Sequence, residues 1–228
     1  MRARPVWGAE HYELVVRGVM RAKTSVWIAT ANLKELMVEP SGGRARRYHS
    51  VMVELDRLAC SGVELRMLHA GLPSRPFRDE FDAWPRLVAG GLQLRQCPRV
   101  HMKIVVVDGA WAYLGSANWT GAGLGAKGEH RRNFELGIVT DDCAVIDDAQ
   151  RRFDALWRGH ECAQCRLRSE CEAPLDLELR SRSKARVRGK RSTAGDVVSA
   201  PAVVRIGAAS SRGTAGSRTR LPASRTRP

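Results

Sequence analysis

Two apolar runs on either side of Asp108-Gly109 constrain this chain more than any other feature. Lys103–Val107 and Ala110–Leu114 are each rich in β-branched, aliphatic or aromatic residues. An Asp-Gly pair between such runs is a strong signal for a tight turn, because both residues tolerate the positive φ that a hairpin turn needs. Residues 103–114 are therefore predicted to form a β-hairpin. Side chains alternate faces along a strand, so His101 and Lys103 share a side at its mouth. The returning strand carries Gly115, Ser116 and Asn118 back toward their level, and Ser116 and Asn118 again share parity. One hairpin thus gathers an imidazole, an ammonium, a hydroxyl and a carboxamide.

The surrounding chain alternates between helical and extended patterns. Strand-like stretches are Ser25–Ala31, Val63–His69, Leu92–Arg95 and Glu135–Val139; helix-like ones are Glu10–Arg21, Tyr48–Cys60 and Cys143–Trp157. The middle helix places Val51, Leu55, Leu58 and Ala59 on one face. This alternation predicts an α/β fold, a mixed β-sheet flanked by helices on both faces. The connectors SGGRARR and GLPSRPF read as surface loops. Trp27, Trp111 and Trp157 are expected in the core, and Asn32, Lys34, Arg131 and Arg132 on exposed loops near the hairpin mouth.

Composition changes after Trp157, the last aromatic residue. Three regions are expected: a catalytic domain over 1–157, a Cys-rich segment over 158–179, and a disordered basic tail over 180–228. The tail is Arg, Ser, Ala, Gly and Pro without apolar periodicity, and such a segment buries too little to offset the entropy of ordering. The net charge is +14, but it is unevenly placed: residues 176–228 carry 13 Lys/Arg against 3 Asp/Glu, and residues 1–175 carry 25 against 21. A polybasic arm attracts nucleic acid and anionic phospholipid alike. No stretch approaches the roughly 18 apolar residues of a membrane span. The N-terminal residues lack an apolar signal core, and six cysteines are too few for a disulfide scaffold, so a cytoplasmic, reducing location is expected.

The four groups at the hairpin mouth suit attack on a phosphodiester. A neutral imidazole is a nucleophile or base near pH 7. Lysine neutralises the non-bridging oxygens, while Ser and Asn donate hydrogen bonds to them. No carboxylate cluster of the two-metal kind accompanies them in the sequence, so metal-independent chemistry is expected, with no cofactor in catalysis. The pattern His101-x-Lys103-x4-Asp108-x6-Gly115-Ser116-x-Asn118 resembles the motif of the phospholipase D superfamily at every fixed position, in its single-motif branch. The resemblance covers about residues 7–157. It implies that His101 is a nucleophile forming a phosphohistidine and that Lys103, Ser116 and Asn118 hold the phosphoryl oxygens. It also implies that Glu135 orients the histidine. Asp108 belongs to the motif, but its place at the turn points to a structural role.

The family's mechanism needs two histidines, one to attack and one to protonate the leaving oxygen. His11, His49, His69, His130 and His160 lack the x-Lys partner, so a homodimer with a shared active site is expected, each chain supplying its His101. A nuclease acting on DNA or RNA is the first reading of the substrate, because the motif is single and compact and the tail is basic. A phospholipase or phosphatidyltransferase is the second. A non-catalytic nucleic-acid-binding module is the third.

His160, Cys162, Cys165 and Cys171 follow the last helix. Cys-x2-Cys lets two thiolates hold one ion from a single turn, and Cys171 and His160 would complete a Cys3His zinc site. Alternatively, Cys-x2-Cys-x5-Cys resembles the closing cysteines of iron–sulfur nucleases, with the fourth ligand from Cys60, Cys97 or Cys143. Either way the expected role is structural.

Overall fold

The computed structural model describes residues 3–39 and 48–177. The SGGRARR connector and the basic tail from residue 180 lie outside the described residues. The nine strands among them are β1 (Ala3–Trp7), β2 (Ser25–Thr30), β3 (Met37–Val38), β4 (His49–Ser50), β5 (Glu64–His69), β6 (Gln93–Gln96), β7 (Ile104–Val107), β8 (Trp111–Gly115) and β9 (Leu136–Thr140). Seven of these form one mixed sheet in the order β1-β9-β8-β7-β2-β5-β6, and β3 pairs with β4 apart from it. The pairs β2–β5 and β5–β6 are parallel; β2–β7, β7–β8, β8–β9 and β9–β1 are antiparallel.

Helices cover both faces, as the alternation predicts. A π-helical segment, His11–Val16, runs into a short α1 (Arg17–Val19), and α2 (Val51–Cys60) bridges toward β5. Val15, Val19, Leu55 and Leu58 from these helices pack with Ile28, Met67, Val105, Val107 and Tyr113 of the sheet. On the opposite face α4 (Cys143–Trp157) lays Ile146, Ala149 and Phe153 on Ile104, Val106 and Ala112. Residues 105 and 107 face one core and 104 and 106 the other, which is why Ile104–Val107 is an unbroken apolar run: it is buried on both sides. Trp157 is buried, and Trp27 stacks on Phe153 at 5.3 Å. Trp111, expected in the core, is half-buried against it and packs its ring against Gly18.

Two elements differ from the sequence reading. The GLPSRPF connector runs into a helix, α3 (Arg75–Asp82), because Ser74 caps it by accepting the Phe77 N–H at 3.4 Å and Pro76 sits in the first turn, where its missing N–H costs nothing. Residues 3–7 form an edge strand despite Pro5, which an edge tolerates because one side of its backbone needs no ladder partner. Other helix starts follow ordinary capping: Ser50 accepts from Met52 N–H, and Asp142 accepts from the N–H groups of Ala144 and Val145.

Candidate active site

The antiparallel register brings four strand ends to one edge of the sheet: the end of β2, the start of β7, the end of β8 and the start of β9. The turn joining β7 to β8 sits at the opposite end. Its central residues Asp108 and Gly109 have φ of 57° and 61°, and Ala110 N–H closes it on the Val107 carbonyl at 2.9 Å. Asp108 is the one non-glycine residue with positive φ among those described. Its carboxylate accepts the N–H groups of Lys23, Thr24 and Ser25 and the Thr24 hydroxyl at 2.7–3.0 Å. Burial alone would raise this carboxyl, but those donors outweigh it and hold it below the usual carboxylate range. Asp108 therefore pins the turn to the start of β2, a strand's length from the motif's other residues.

At the site edge, His101 and Lys103 lie on extended chain just before β7, and Lys103 accepts the Gly115 N–H at its carbonyl, continuing the ladder. The Lys103 ammonium donates to the His101 carbonyl at 2.8 Å. Partial burial lowers its pKa, and the Glu135 carboxylate pulls the other way. The His101 ring is exposed and has no hydrogen-bond partner among the described residues.

Asn118 is held by its oxygen. Its Oδ1 accepts the N–H groups of Ala31 and Asn32 at 3.1 and 3.0 Å, tying the loop after β8 to the end of β2. Those donors fix the orientation of the carboxamide, so its NH2 is the end left to donate. Asn32, read as a loop residue near the site, contributes through this backbone N–H; Lys34 is exposed, and its N–H donates to the Trp119 carbonyl.

Glu135, which the resemblance gives the role of orienting the histidine, is bonded to its own neighbours in this chain. It accepts a short hydrogen bond from the Ser116 hydroxyl and one from Asn133 Nδ2 at 3.0 Å. The reason is register: Ser116 N–H donates to the Leu136 carbonyl while Leu136 N–H donates to Ser116 Oγ, which sets the serine beside residue 135. The Ser116 proton is thus engaged by a carboxylate rather than free for a substrate oxygen. Arg132, expected on an exposed loop, is half-buried and donates to the carbonyls of Gly125 and Lys127, tying down its own loop; Arg131 is exposed.

Two residues that the sequence reading passes over support the loop from below. His11 is fully buried and contacts the Gly8 carbonyl through Nδ1 at 3.3 Å and Tyr113 Oη through Nε2 at 3.1 Å. A carbonyl only accepts, so Nδ1 carries the proton and Nε2 accepts the tyrosine O–H. Burial lowers the His11 pKa and pushes the Tyr113 hydroxyl up to about 12, so both remain neutral. Tyr113 Oη in turn accepts the Ala117 N–H at 3.2 Å. This chain of bonds fixes the backbone between Ser116 and Asn118. It also explains the glycine of the motif: a Cβ at Gly115 would strike the Tyr113 hydroxyl and come within 2.7 Å of the Gly137 Cα. Gly115 and Gly137 are register partners, a facing glycine pair that marks the close approach.

Of the Cys-rich segment, the structure brings Cys162, Cys165 and Cys171 together with Cys97 around adjoining small cavities, whereas His160, Cys60 and Cys143 line neither.

A family model described as "Cardiolipin synthase, PLD-like domain" matches residues 15–157. Solved structures of similar fold include Nuc, a phospholipase D family member from Salmonella typhimurium, at 18% identity and a TM-score of 0.50, covering 68% of this chain and 93% of that one. NucT from Helicobacter pylori is similar at 15% identity and a TM-score of 0.48, covering 67% and 93%. At such identities the likeness is one of fold. No curated protein matches the chain.

Proposed function

We propose that this chain, which belongs to the phospholipase D-like family, is a metal-independent phosphodiesterase that cleaves nucleic acid through a phosphohistidine. The observation that carries the reading is the mouth of the β7–β8 hairpin, where an exposed, unpartnered His101 ring stands beside Lys103 and the free NH2 of Asn118. His101 attacks phosphorus and one P–O bond breaks. Lys103 and Asn118 neutralise and bind the non-bridging oxygens as charge builds on them. A second imidazole gives its proton to the leaving oxygen. Water then attacks phosphorus, losing its proton to that same imidazole, a P–O bond forms as the P–N bond breaks, and the phosphate monoester leaves with His101 restored. Glu135, which holds Ser116, raises the Lys103 pKa against the effect of its burial.

The second imidazole is His101 of another copy of this chain. Supporting this, Phe134 is fully exposed and Leu136, Ile138 and Trp7 are each more than a third exposed, on either side of Glu135 and across the β9–β1 pair. A two-fold contact over this strip covers apolar surface left open among the described residues and sets two site edges face to face. Among the described residues no helix is long and apolar enough to cross a membrane. The basic residues of the C-terminal region favour a polyanionic substrate.

The test is cleavage in EDTA of single-stranded DNA, duplex DNA and phosphatidylcholine vesicles by wild type and His101→Ala. The expected result is metal-independent DNA cleavage that falls on the order of 10⁴-fold or more in the variant. Activity that requires magnesium and survives the substitution, or cleavage of the lipid alone, overturns the reading.

A further inference from the structure

Four cysteines from two distant parts of the chain share one place in the fold. After α4 ends, residues 158–176 form a succession of turns without a helix or strand. Two small cavities, of about 100 and 20 Å³, lie between this segment and the chain leaving β6; Cys97, Cys162 and Cys165 line both, and Cys171 lines the second. All four are free thiols, and all are partly buried, whereas Cys60 and Cys143 are exposed elsewhere.

Two of the four are built alike. The Cys97 carbonyl accepts Val100 N–H at 2.9 Å, and the Cys165 carbonyl accepts Arg168 N–H at 2.9 Å, so each cysteine opens a tight turn. Arg99, two residues after Cys97, lines both cavities beside Cys97 and Cys165. Cys97 is itself fixed, its N–H donating to the His69 carbonyl at 2.8 Å.

We infer that Cys97, Cys162, Cys165 and Cys171 form a structural zinc site that clips the C-terminal segment to the end of β6. Four thiolates leave no open coordination position, which is the donor set of a closed tetrahedral site. Among the described residues no three metal-type donors are drawn in closely enough to hold an ion as they stand; the inferred site is one that closes when the ion binds. The clip supplies what the segment lacks. Its turns bury little beyond Leu175 and Asp176, and a metal offsets the ordering entropy that so small a core does not.

The test uses the full chain and does not depend on cleavage. Elemental analysis of purified protein is expected to give one zinc per chain. Cobalt substitution is expected to give the visible bands and sulfur-to-metal charge transfer of a tetrahedral tetrathiolate. Cys97→Ser should weaken zinc binding by about 10-fold or more, while His160→Ala, Cys60→Ser and Cys143→Ser keep it. If Cys97→Ser fails to fold, thiol labelling of native wild type serves: Cys60 and Cys143 react at once, and the other four only after zinc is stripped. Iron with acid-labile sulfide, six freely reactive thiols without metal, or loss of zinc in His160→Ala would each overturn the site.

Discussion

Asp108→Ala should unfold the protein more easily while leaving the chemistry of the folded enzyme near wild type. The carboxylate accepts four hydrogen bonds, from the N–H groups of Lys23, Thr24 and Ser25 and from the Thr24 hydroxyl. Lys23 and Thr24 are exposed, so water replaces part of what is lost, and the net cost of the four is about 1–2 kcal/mol. Alanine at φ 57° adds about 1 kcal/mol more, because its Cβ crowds the following carbonyl in the left-handed region. At about 2–4 °C per kcal/mol for a domain of this size, Tm should fall by roughly 4–12 °C. Asp108→Asn, which keeps an oxygen and tolerates that backbone, should lose about half as much.

The pH dependence has a definite sign. The folded carboxyl lies below its ordinary value, so its contribution is complete above the unfolded pKa and fades as pH falls through the folded one. The gap between wild type and Asp108→Ala should therefore be widest at neutral pH and narrow below about pH 4 to the backbone contribution alone. Thermal melts across pH, beside kcat measured well below Tm, read both effects. A variant that melts with wild type yet cannot cleave would place Asp108 in the chemistry and refute the reasoning.

Tyr113→Phe leaves His11 Nε2 and the Ala117 N–H without their partner, which should cost about 2–4 kcal/mol in chemical denaturation and lower kcat through a looser loop. Gly115→Ala drives a methyl into Tyr113 and the Gly137 backbone and should destabilise by about 1–3 kcal/mol, with cleavage lost in parallel. Burial lowers the Lys103 pKa, so kcat/KM should fall on the alkaline side below the ordinary lysine range of about 10.4. Lys103→Arg should move that limb upward in a pH–rate profile; an unmoved limb assigns it to another group. Removing residues 180–228 takes away 13 basic side chains and should weaken DNA binding and flatten its dependence on salt in fluorescence titrations.

The hairpin and its motif were legible because their signals are local: period-two apolar runs, an Asp-Gly turn and fixed spacings that bring residues 101, 103, 116 and 118 to one end. The two-faced sheet was legible from alternation, and α4 from a helical pattern that begins just after its Asp142 cap. What the sequence hid depends on distant partners. His11 and Tyr113 are 102 residues apart, and nothing local marks either, although the facing glycines 115 and 137 hint that something large lies between. The link from Glu135 to the histidine comes from resemblance, and its bond to Ser116 follows from strand register, which the sequence does not show. Ser74 and Pro76 read as loop residues because the same residue types that fill turns also start helices. The choice among Cys60, Cys97 and Cys143 rests on which strand end the C-terminal turns pack against, which only the assembled fold decides.

Quenching wild-type turnover in alkali and counting phosphoryl groups held on His101 is the most direct measurement of the central claim. A site built from two chains, with one ring attacking and the other donating a proton, predicts one trapped phosphoryl for every two chains, on His101, formed in EDTA. One per chain, or none while cleavage proceeds, would contradict it.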